Sequence, residues 1–480
     1  MNSIIGRKKE IEELTIAYRR KQSQLVAVYG RRRVGKTFLI RELYKNDFSF
    51  YHTGLSPAEV QETNLMEAQL RSFYSTLRRF GYSKNKIPSN WIEAFDCLAE
   101  LLSKTDKNKR TVVFIDEMPW MDTPRSGFIT AFEHFWNGWG AGQDNLMLIV
   151  CGSATSWILN NLINSYGGLY NRVNMEIRLS PFSLAETEQL LAAQDVILTR
   201  YDILQLYMAV GGIPMYLSYV QSGMSLAQII DSLYFSRKAK LKNEFERLFG
   251  SIFRYPDNYI KVVRELSKRQ SGYSREELSQ KTGIAAGEGL SKVLSALVES
   301  DFIEYYKPFE NTKREMMYRL TDPFCLFYLT EVENRNRGDG FWHENENFPS
   351  LAVWRGRAFE NACFIHIEQI KRALGVIGVG SDNSPWTLRG TECQDGMQID
   401  LIIKRKDRVV NLCEIKFVDS VFEVKKDYEF TLRARLNKVK EYLSSQYNVQ
   451  MTLITTYGLK FGIHSGVFQK TVVLDDLFVG

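Results

Sequence analysis

Cysteine is scarce and dispersed in this chain of 480 residues: six in all, at positions 97, 151, 325, 363, 393 and 413, with no C-x-x-C pair. That spacing argues against structural zinc and against a disulfide framework, so reduced thiols in a cytoplasmic protein are the expectation. No apolar run approaches the ~20 residues of a membrane-spanning helix. The opening residues, Met1 to Glu10, lack the apolar core of a signal peptide. Repeats and low-complexity linkers are also missing. Neither sign of charge dominates: 62 Lys and Arg against 56 Asp and Glu leave +6. Such a balance permits a nucleic-acid partner without establishing one. The hydrophobic share of 44% and the charged share of 25% are those of an ordinary globular protein. The length suits roughly three domains.

The first dense motif is Gly30-Arg31-Arg32-Arg33-Val34-Gly35-Lys36-Thr37, a full match to G-x-x-x-x-G-K-[ST]. An apolar run, Gln24 to Tyr29, precedes it, and a helical pattern, Phe38 to Leu43, follows. Gly30 and Gly35 let backbone N–H groups wrap a phosphate chain, and the helix N-terminus adds its dipole. Lys36 would reach the β- and γ-phosphates and Thr37 would hold Mg²⁺. The alternative is a chance Gly-rich turn. A second apolar strand, Thr111 to Ile115, ends in Asp116 and Glu117. Asp116 would hold Mg²⁺ through water, and Glu117 would act as general base on the attacking water. A strand running into an Asp-capped helix would look the same. The stretch between the motifs holds a further strand, Phe48 to His52. A third apolar strand, Leu146 to Cys151, ends beside Ser153, a candidate for touching the γ-phosphate or for a helix cap. Arg172, before a strand at Met175 to Leu179, is a candidate for stabilising transition-state charge, in cis or from a neighbouring subunit; a structural arginine is the other reading.

With these residues the chain resembles the archaeal and bacterial ATPase family related to AAA-type and STAND NTPases. The matching segments are Ile5-Gly6-Arg7, Gly30 to Arg33, Phe114 to Trp120, Cys151 to Trp157 and Gly211-Gly-Ile-Pro214. The resemblance implies ATP as the nucleotide, and places Gly212 and Pro214 near the adenine from a helical lid. No guanine-reading N-K-x-D signature is present.

Residues 184–247 read as helices with a basic run, Arg237-Lys-Ala-Lys240 and Lys242. Ser274 to Gly283 reads as a capped short helix, Gly289 to Val298 as a second helix, and Phe302 to Tyr306 with Met317 to Leu320 as a hairpin. Lys307, Lys313 and Arg314 lie at its tip. Helix, turn, helix, hairpin is a winged-helix layout. It serves either as a DNA reader, with Lys292 as the only base-reaching cation, or as a lid or packing module.

Past a polar connector at 330–350, a helix over Trp354 to Ala373 carries Glu360, and a strand is expected near Trp386 to Thr391. Met397 to Lys404 and Val409 to Phe417 then form a hairpin. A three-residue turn pairs 405 with 409 and puts Asp400 opposite Glu414, with Lys416 on the same face. Opposed carboxylates among apolar neighbours are costly unless a cation lies between them, and a divalent metal would serve. This arrangement, with the helix Tyr428 to Ser445 and the strand Val449 to Thr456, resembles the PD-(D/E)XK nuclease superfamily. That resemblance implies Asp400 and Glu414 as Mg²⁺ ligands, Lys416 at the attacking water and Glu360 as a third acid. The usual Pro-Asp pair is Ile-Asp here. Lys425, Lys426, Arg433, Arg435, Lys438 and Lys440 would track phosphates or form a solvated face.

The expected fold class is α/β and multidomain: a P-loop ATPase domain with a parallel sheet (1–183), a helical lid (184–247), a winged helix (248–330) and a restriction-endonuclease-like α/β domain (331–480). The expected function is an ATP-hydrolysing switch coupled to a metal-dependent DNA endonuclease. The expected partners are ATP and DNA, with Mg²⁺ as cofactor, assembly into a homo-oligomer left open, and no membrane. Two rivals stand beside it. One is a regulatory DNA- or partner-binding ATPase whose nuclease-like domain is catalytically silent. The other is a STAND-like signalling ATPase with a protein target.

Overall fold

The structure is a computed structural model describing residues 4–480 except 57–63, 165–166, 310–315, 334, 336, 346–347, 389–396 and 444–445. It divides into two compact units, Met1–Pro181 with Leu248–Tyr255, and Phe182–Arg247 with Pro256–Gly480. Among the described residues no helix is long and apolar enough to cross a membrane. Cys97, Cys151, Cys325, Cys363 and Cys413 are free thiols.

The first unit is built on five parallel strands: β1 (Gln24–Tyr29), β2 (Phe48–Thr53), β3 (Thr111–Asp116), β4 (Leu146–Gly152) and β5 (Met175–Arg178). Their spatial order is β2-β3-β4-β1-β5. The inner strands β1, β3 and β4 are buried along their whole length. That explains their unbroken apolar runs, since a parallel sheet covered on both faces has no polar side. Helices α1 (Lys8–Arg19), α2 (Lys36–Tyr44), α3 (Leu65–Arg79), α4 (Trp91–Leu102) and α5 (Phe128–Gly138) complete the unit. An aromatic cluster of Phe73, Trp91, Phe95, Phe128 and Phe135 forms much of its core. Strand β4 lies between β1 and β3, so the phosphate-loop strand and the acid-bearing strand are separated by one neighbour and end at the same edge of the sheet.

The second unit begins with helices α6 (Leu184–Ala193) and α7 (Arg200–Val210). Further on, α8 (Asp257–Ser267), α9 (Arg275–Thr282) and α10 (Glu288–Glu299) pack beside a three-stranded sheet of β6 (Tyr273–Ser274), β7 (Ile303–Tyr306) and β8 (Met317–Leu320). Ser274 caps α9 in a reciprocal capping box with Glu277, and Gly283 ends it at φ 71°. Lys313 and Arg314 of the expected basic tip lie outside the described residues. Lys292, the one cation expected to read bases, pairs with Glu288 at 2.8 Å on its own helix.

The C-terminal part holds a mixed sheet in the order β13-β12-β11-β10-β9. Its strands are β9 (Ser381–Leu388), β10 (Met397–Arg405), β11 (Val409–Lys416), β12 (Asn448–Thr455) and β13 (Lys470–Val473), with helices α11 (Pro349–Ile365) and α12 (Lys426–Tyr442). Strands β10 and β11 pair Leu401 with Cys413 and Lys404 with Val410, the register read from the turn. Two expectations need correction. Strand β9 starts at Ser381 rather than near Trp386, because its first half is polar and carries Pro385. An edge strand tolerates both. The helix expected over 354–373 begins at Pro349 and breaks at His366. The His366 ring bonds Ala362 O at 2.8 Å and accepts the Leu184 N–H at 3.0 Å, which ties α11 to the start of α6.

Candidate functional site

The phosphate loop needs three residues in the left-handed region: Gly30 (φ 138°), Arg33 (φ 74°) and Gly35 (φ 94°). A Cβ on Gly30 would stand 2.2 Å from Leu179 O. Only glycine lets the loop leave β1 so close to the chain after β5. The loop is clamped from outside by Arg7, whose Nη2 donates to Val34 O at 3.1 Å and Ser180 O at 2.7 Å. The sequence marks Arg7 only through the Ile5-Gly6-Arg7 segment; its contact with the loop comes from the fold. Arg31 and Val34 are buried, and the Arg32 guanidinium lies 5.9 Å from the Trp120 ring centroid.

Lys36 is buried, and its ammonium donates to Gly30 O and Arg31 O at 2.9 Å each. It is thus folded back across the hollow of the loop, where a phosphate oxygen would replace those carbonyls. Thr37 Oγ1 donates to Asp116 Oδ2 at 2.9 Å, joining motifs 79 residues apart. Burial raises the Asp116 carboxyl above its ordinary range, the Glu117 charge adds to that, and the Thr37 hydroxyl opposes it. A buried carboxylate and a hydroxyl brought together fit a hard cation such as Mg²⁺.

Glu117 holds φ 47°, a strained backbone for a non-glycine residue. Its Oε2 accepts from Ser153 N at 3.1 Å and Ser153 Oγ at 2.9 Å. Ser153, expected as a phosphate contact, therefore grips the candidate base through both its backbone and its side chain. Arg172 is exposed in the turn before β5. In the second unit, Gly212 O accepts the Phe182 N–H at 2.8 Å and Pro214 opens the short helix Pro214–Leu217.

Residues 4–220 match the family described as an ATPase domain predominantly from Archaea. That match spans both motifs and the residues that join them. Residues 4–220 are an archaeal-type ATPase domain. An uncharacterized protein of Methanocaldococcus jannaschii, MJECL04, is 20% identical over 335 residues, 68% of either chain. The Walker-type ATPase PABY2304 of Pyrococcus abyssi aligns over 68% of this chain and 96% of its own, with TM-score 0.44 and 19% identity. The ORC2 protein of Aeropyrum pernix aligns over 69% and 96%, with TM-score 0.42 and 14% identity. At those scores neither structural likeness bears on function.

Apart from the ATPase domain, a second polar cluster is built on β10 and β11. The β9–β10 ladder shifts register between Ile399 and Ile402, opposite Pro385, which has no N–H to give. Asp400 sits at that break. Such bulges re-aim side chains, and Asp400 Oδ2 accepts the Ile415 N–H at 2.9 Å. Glu414 is almost fully buried. Its Oε1 accepts from the Tyr428 hydroxyl and meets Lys416 Nζ at 2.7 Å, while its Oε2 takes Arg435 at 2.8 Å. Glu360, on α11, accepts from Gln270 Nε2. Burial, then the Asp400 charge, pushes Glu360 up to about 8. Burial, then Glu414, raises Asp400 to about 6. Burial works to raise Glu414 too, but Lys416 and Arg435 outweigh it and leave that group below its ordinary range.

The fold thus brings Glu360, Asp400, Glu414 and Lys416 into one electrostatic cluster. It also corrects the premise that only a metal could relieve Glu414, since Lys416 and Arg435 neutralise it directly. Arg435 is therefore not free to track phosphate, and Arg433 and Lys438 are paired with Glu429 and Glu441. Among the described residues no three acids, histidines or cysteines stand close enough to hold a metal ion as placed. Tyr428, Arg435 and Gln270 are the partners that sequence reasoning missed in this role. Gln270 and Glu360 lie 90 residues apart, and no local pattern could have linked them.

Proposed function

We propose that the chain is an ATP-hydrolysing switch. The observation that carries this is the Thr37–Asp116 hydrogen bond, which sets the phosphate loop against the acid strand with Glu117 one residue on. Thr37 and Asp116 would hold Mg²⁺, which when bound supplies positive charge to the β- and γ-phosphate oxygens. The loop N–H groups of Arg31 to Lys36 cradle the phosphates. Lys36 swings from Gly30 O and Arg31 O to a phosphate oxygen. Glu117 takes the proton of the attacking water once Ser153 lets go of it, so the Ser153–Glu117 pair holds the base idle until nucleotide arrives. Pro214 and Gly212 at the adenine, and Arg172 at the developing charge, complete this reading. The helices of 184–247 act as the lid, and 248–330 act as a winged helix that either touches DNA or packs. The test is Mg²⁺-dependent phosphate release from ATP by the wild type beside Lys36→Ala.

The C-terminal domain (331–480) is read as a PD-(D/E)XK-type DNA endonuclease domain coupled to that switch. What supports this is the convergence of Glu360, Asp400, Glu414 and Lys416. The donor set suits a hard divalent cation, because two of its three carboxyls are held protonated-prone by burial and mutual repulsion. Asp400 and Glu414, with Glu360 as the third acid, would hold the ion, which when bound supplies charge to a phosphodiester and acidity to a water. Lys416 would position that water. The silent-domain rival is supported by the occupancy of both Glu414 oxygens. Plasmid and single-stranded DNA cleavage with Mg²⁺ or Mn²⁺, with and without ATP, separates the two. Cutting that Asp400→Ala abolishes supports the nuclease, and intact ATP hydrolysis without cutting supports the rival.

A further inference from the structure

A cavity of about 350 Å³ lies in the first unit at the free edge of its sheet, lined by Tyr51, His52 and Thr53 of β2 and by Ser72, Thr76 and Arg79 of α3. Its volume falls in the range of small-molecule sites. Two of its side chains are poorly served by the protein. His52 is 2% exposed, and its Nε2 has no hydrogen-bond partner. Arg79 gives Nη2 to Thr76 Oγ1 at 2.9 Å, and among the described residues it pairs with no carboxylate.

The hydrogen-bond chain fixes what Nε2 lacks. Thr76 Oγ1 donates its own hydrogen to Ser72 O at 3.1 Å. It is therefore an acceptor toward both Arg79 and His52 Nδ1, the latter at 2.9 Å. Nδ1 carries the ring proton, and Nε2 is left as a buried lone pair that requires a donor. The ring stays neutral, since burial and then the Arg79 charge lower its pKa to about 3. A ligand that satisfies both groups has an anionic oxygen for the Arg79 guanidinium and an O–H for His52 Nε2.

We infer that this cavity is a binding site for a small oxyanion bearing a hydroxyl, the chemistry shared by hydrogen phosphate and by short hydroxycarboxylates. It is separate from the phosphate loop, so it stands or falls independently of ATP hydrolysis. The Tyr51 and Phe80 rings wall it, and the hydroxyls of Thr53 and Ser72 add further polar contacts for the anion's remaining oxygens.

The test titrates inorganic phosphate, glycerate and sulfate into the full chain by calorimetry, with the phosphate loop filled by Mg²⁺ and a non-hydrolysable ATP analogue and with Lys36→Ala in parallel. The nitrogen resonances of ¹⁵N-histidine give a readout local to His52. Phosphate or glycerate, whichever is tighter, is expected to bind at least tenfold better than sulfate, which at neutral pH has acceptors and no O–H. The same ligand is expected to shift the unprotonated His52 Nε2 resonance, and Arg79→Gln, a substitution of an exposed side chain, is expected to weaken it at least tenfold. His52→Phe, checked for folding by circular dichroism, should abolish the phosphate-over-sulfate preference. Equal binding of sulfate and phosphate, a silent His52 resonance, an unaffected Arg79→Gln variant, or a single ordered water satisfying Nε2 with no anion bound would each overturn the assignment.

Discussion

Glu117 is the residue on which hydrolysis turns, and it is held in two ways. Its backbone is in the left-handed region, and its carboxylate is gripped by Ser153 through two hydrogen bonds. Glu117→Gln keeps the shape and removes the base. It is expected to lower the rate of phosphate release by roughly 10²–10⁴-fold, with ATP binding retained by calorimetry. A second residue-scale prediction concerns Glu360. Its folded pKa is raised to about 8 from an ordinary 4.5. The folded form therefore holds its proton where the unfolded form has lost it, and stability is greatest below the unfolded pKa and is lost as pH rises to about 8. Thermal melts from pH 5 to 8 should show a falling midpoint, and Glu360→Gln should flatten that fall. A variant whose midpoint falls as steeply as the wild type would contradict this electrostatic account. The loop residues Gly30, Gly35, Lys36 and Thr37 were legible because their roles follow from spacing within one turn. The Ser153 contact was not, because it depends on the backbone angle at Glu117, which no residue type signals.

At the scale of elements, the sheet of the first unit was readable as apolar runs, because parallel strands covered on both faces leave no polar register to confuse. Strand β9 hid half its length, since an edge strand shows solvent a polar side and accommodates Pro385 at the cost of a ladder bond. The turn of the β10–β11 hairpin fixed the register of Asp400 and Glu414. The helix that carries Tyr428 and Arg435 was foreseen, but not which of its faces meets the sheet. Close backbone approaches make a third prediction. A Cβ at Gly272 (φ 68°) would stand 1.8 Å from Tyr318 O, where the turn after α8 meets β8. Gly272→Ala should cost on the order of 3 kcal/mol in denaturant unfolding. The same change at Gly283 (φ 71°), where a Cβ would meet nothing within 4 Å, should cost about 1 kcal/mol, from the backbone angle alone. Equal costs would show that the crowding at Tyr318 is relieved by backbone movement.

The whole molecule carries two clusters of acids that the chain must keep apart in role. In the ATPase domain, Asp116 is joined to a hydroxyl and awaits a cation with its nucleotide. In the C-terminal domain, Glu414 already has Lys416 and Arg435. If that domain cuts DNA, the metal must compete with those cations. Arg435→Gln is then expected to raise apparent Mn²⁺ affinity several-fold in a cleavage titration, whereas a silent domain would show no cleavage in either form. The central claim is nearer the N-terminus and simpler to reach. The most direct measurement is Mg²⁺-dependent phosphate release from ATP by the purified full chain, beside Lys36→Ala and Glu117→Gln. The account predicts steady turnover by the wild type, a loss of about a hundredfold or more in both variants, and retained ATP binding in Glu117→Gln. Turnover that both variants leave unchanged, or wild-type protein that binds ATP and never hydrolyses it, would contradict it.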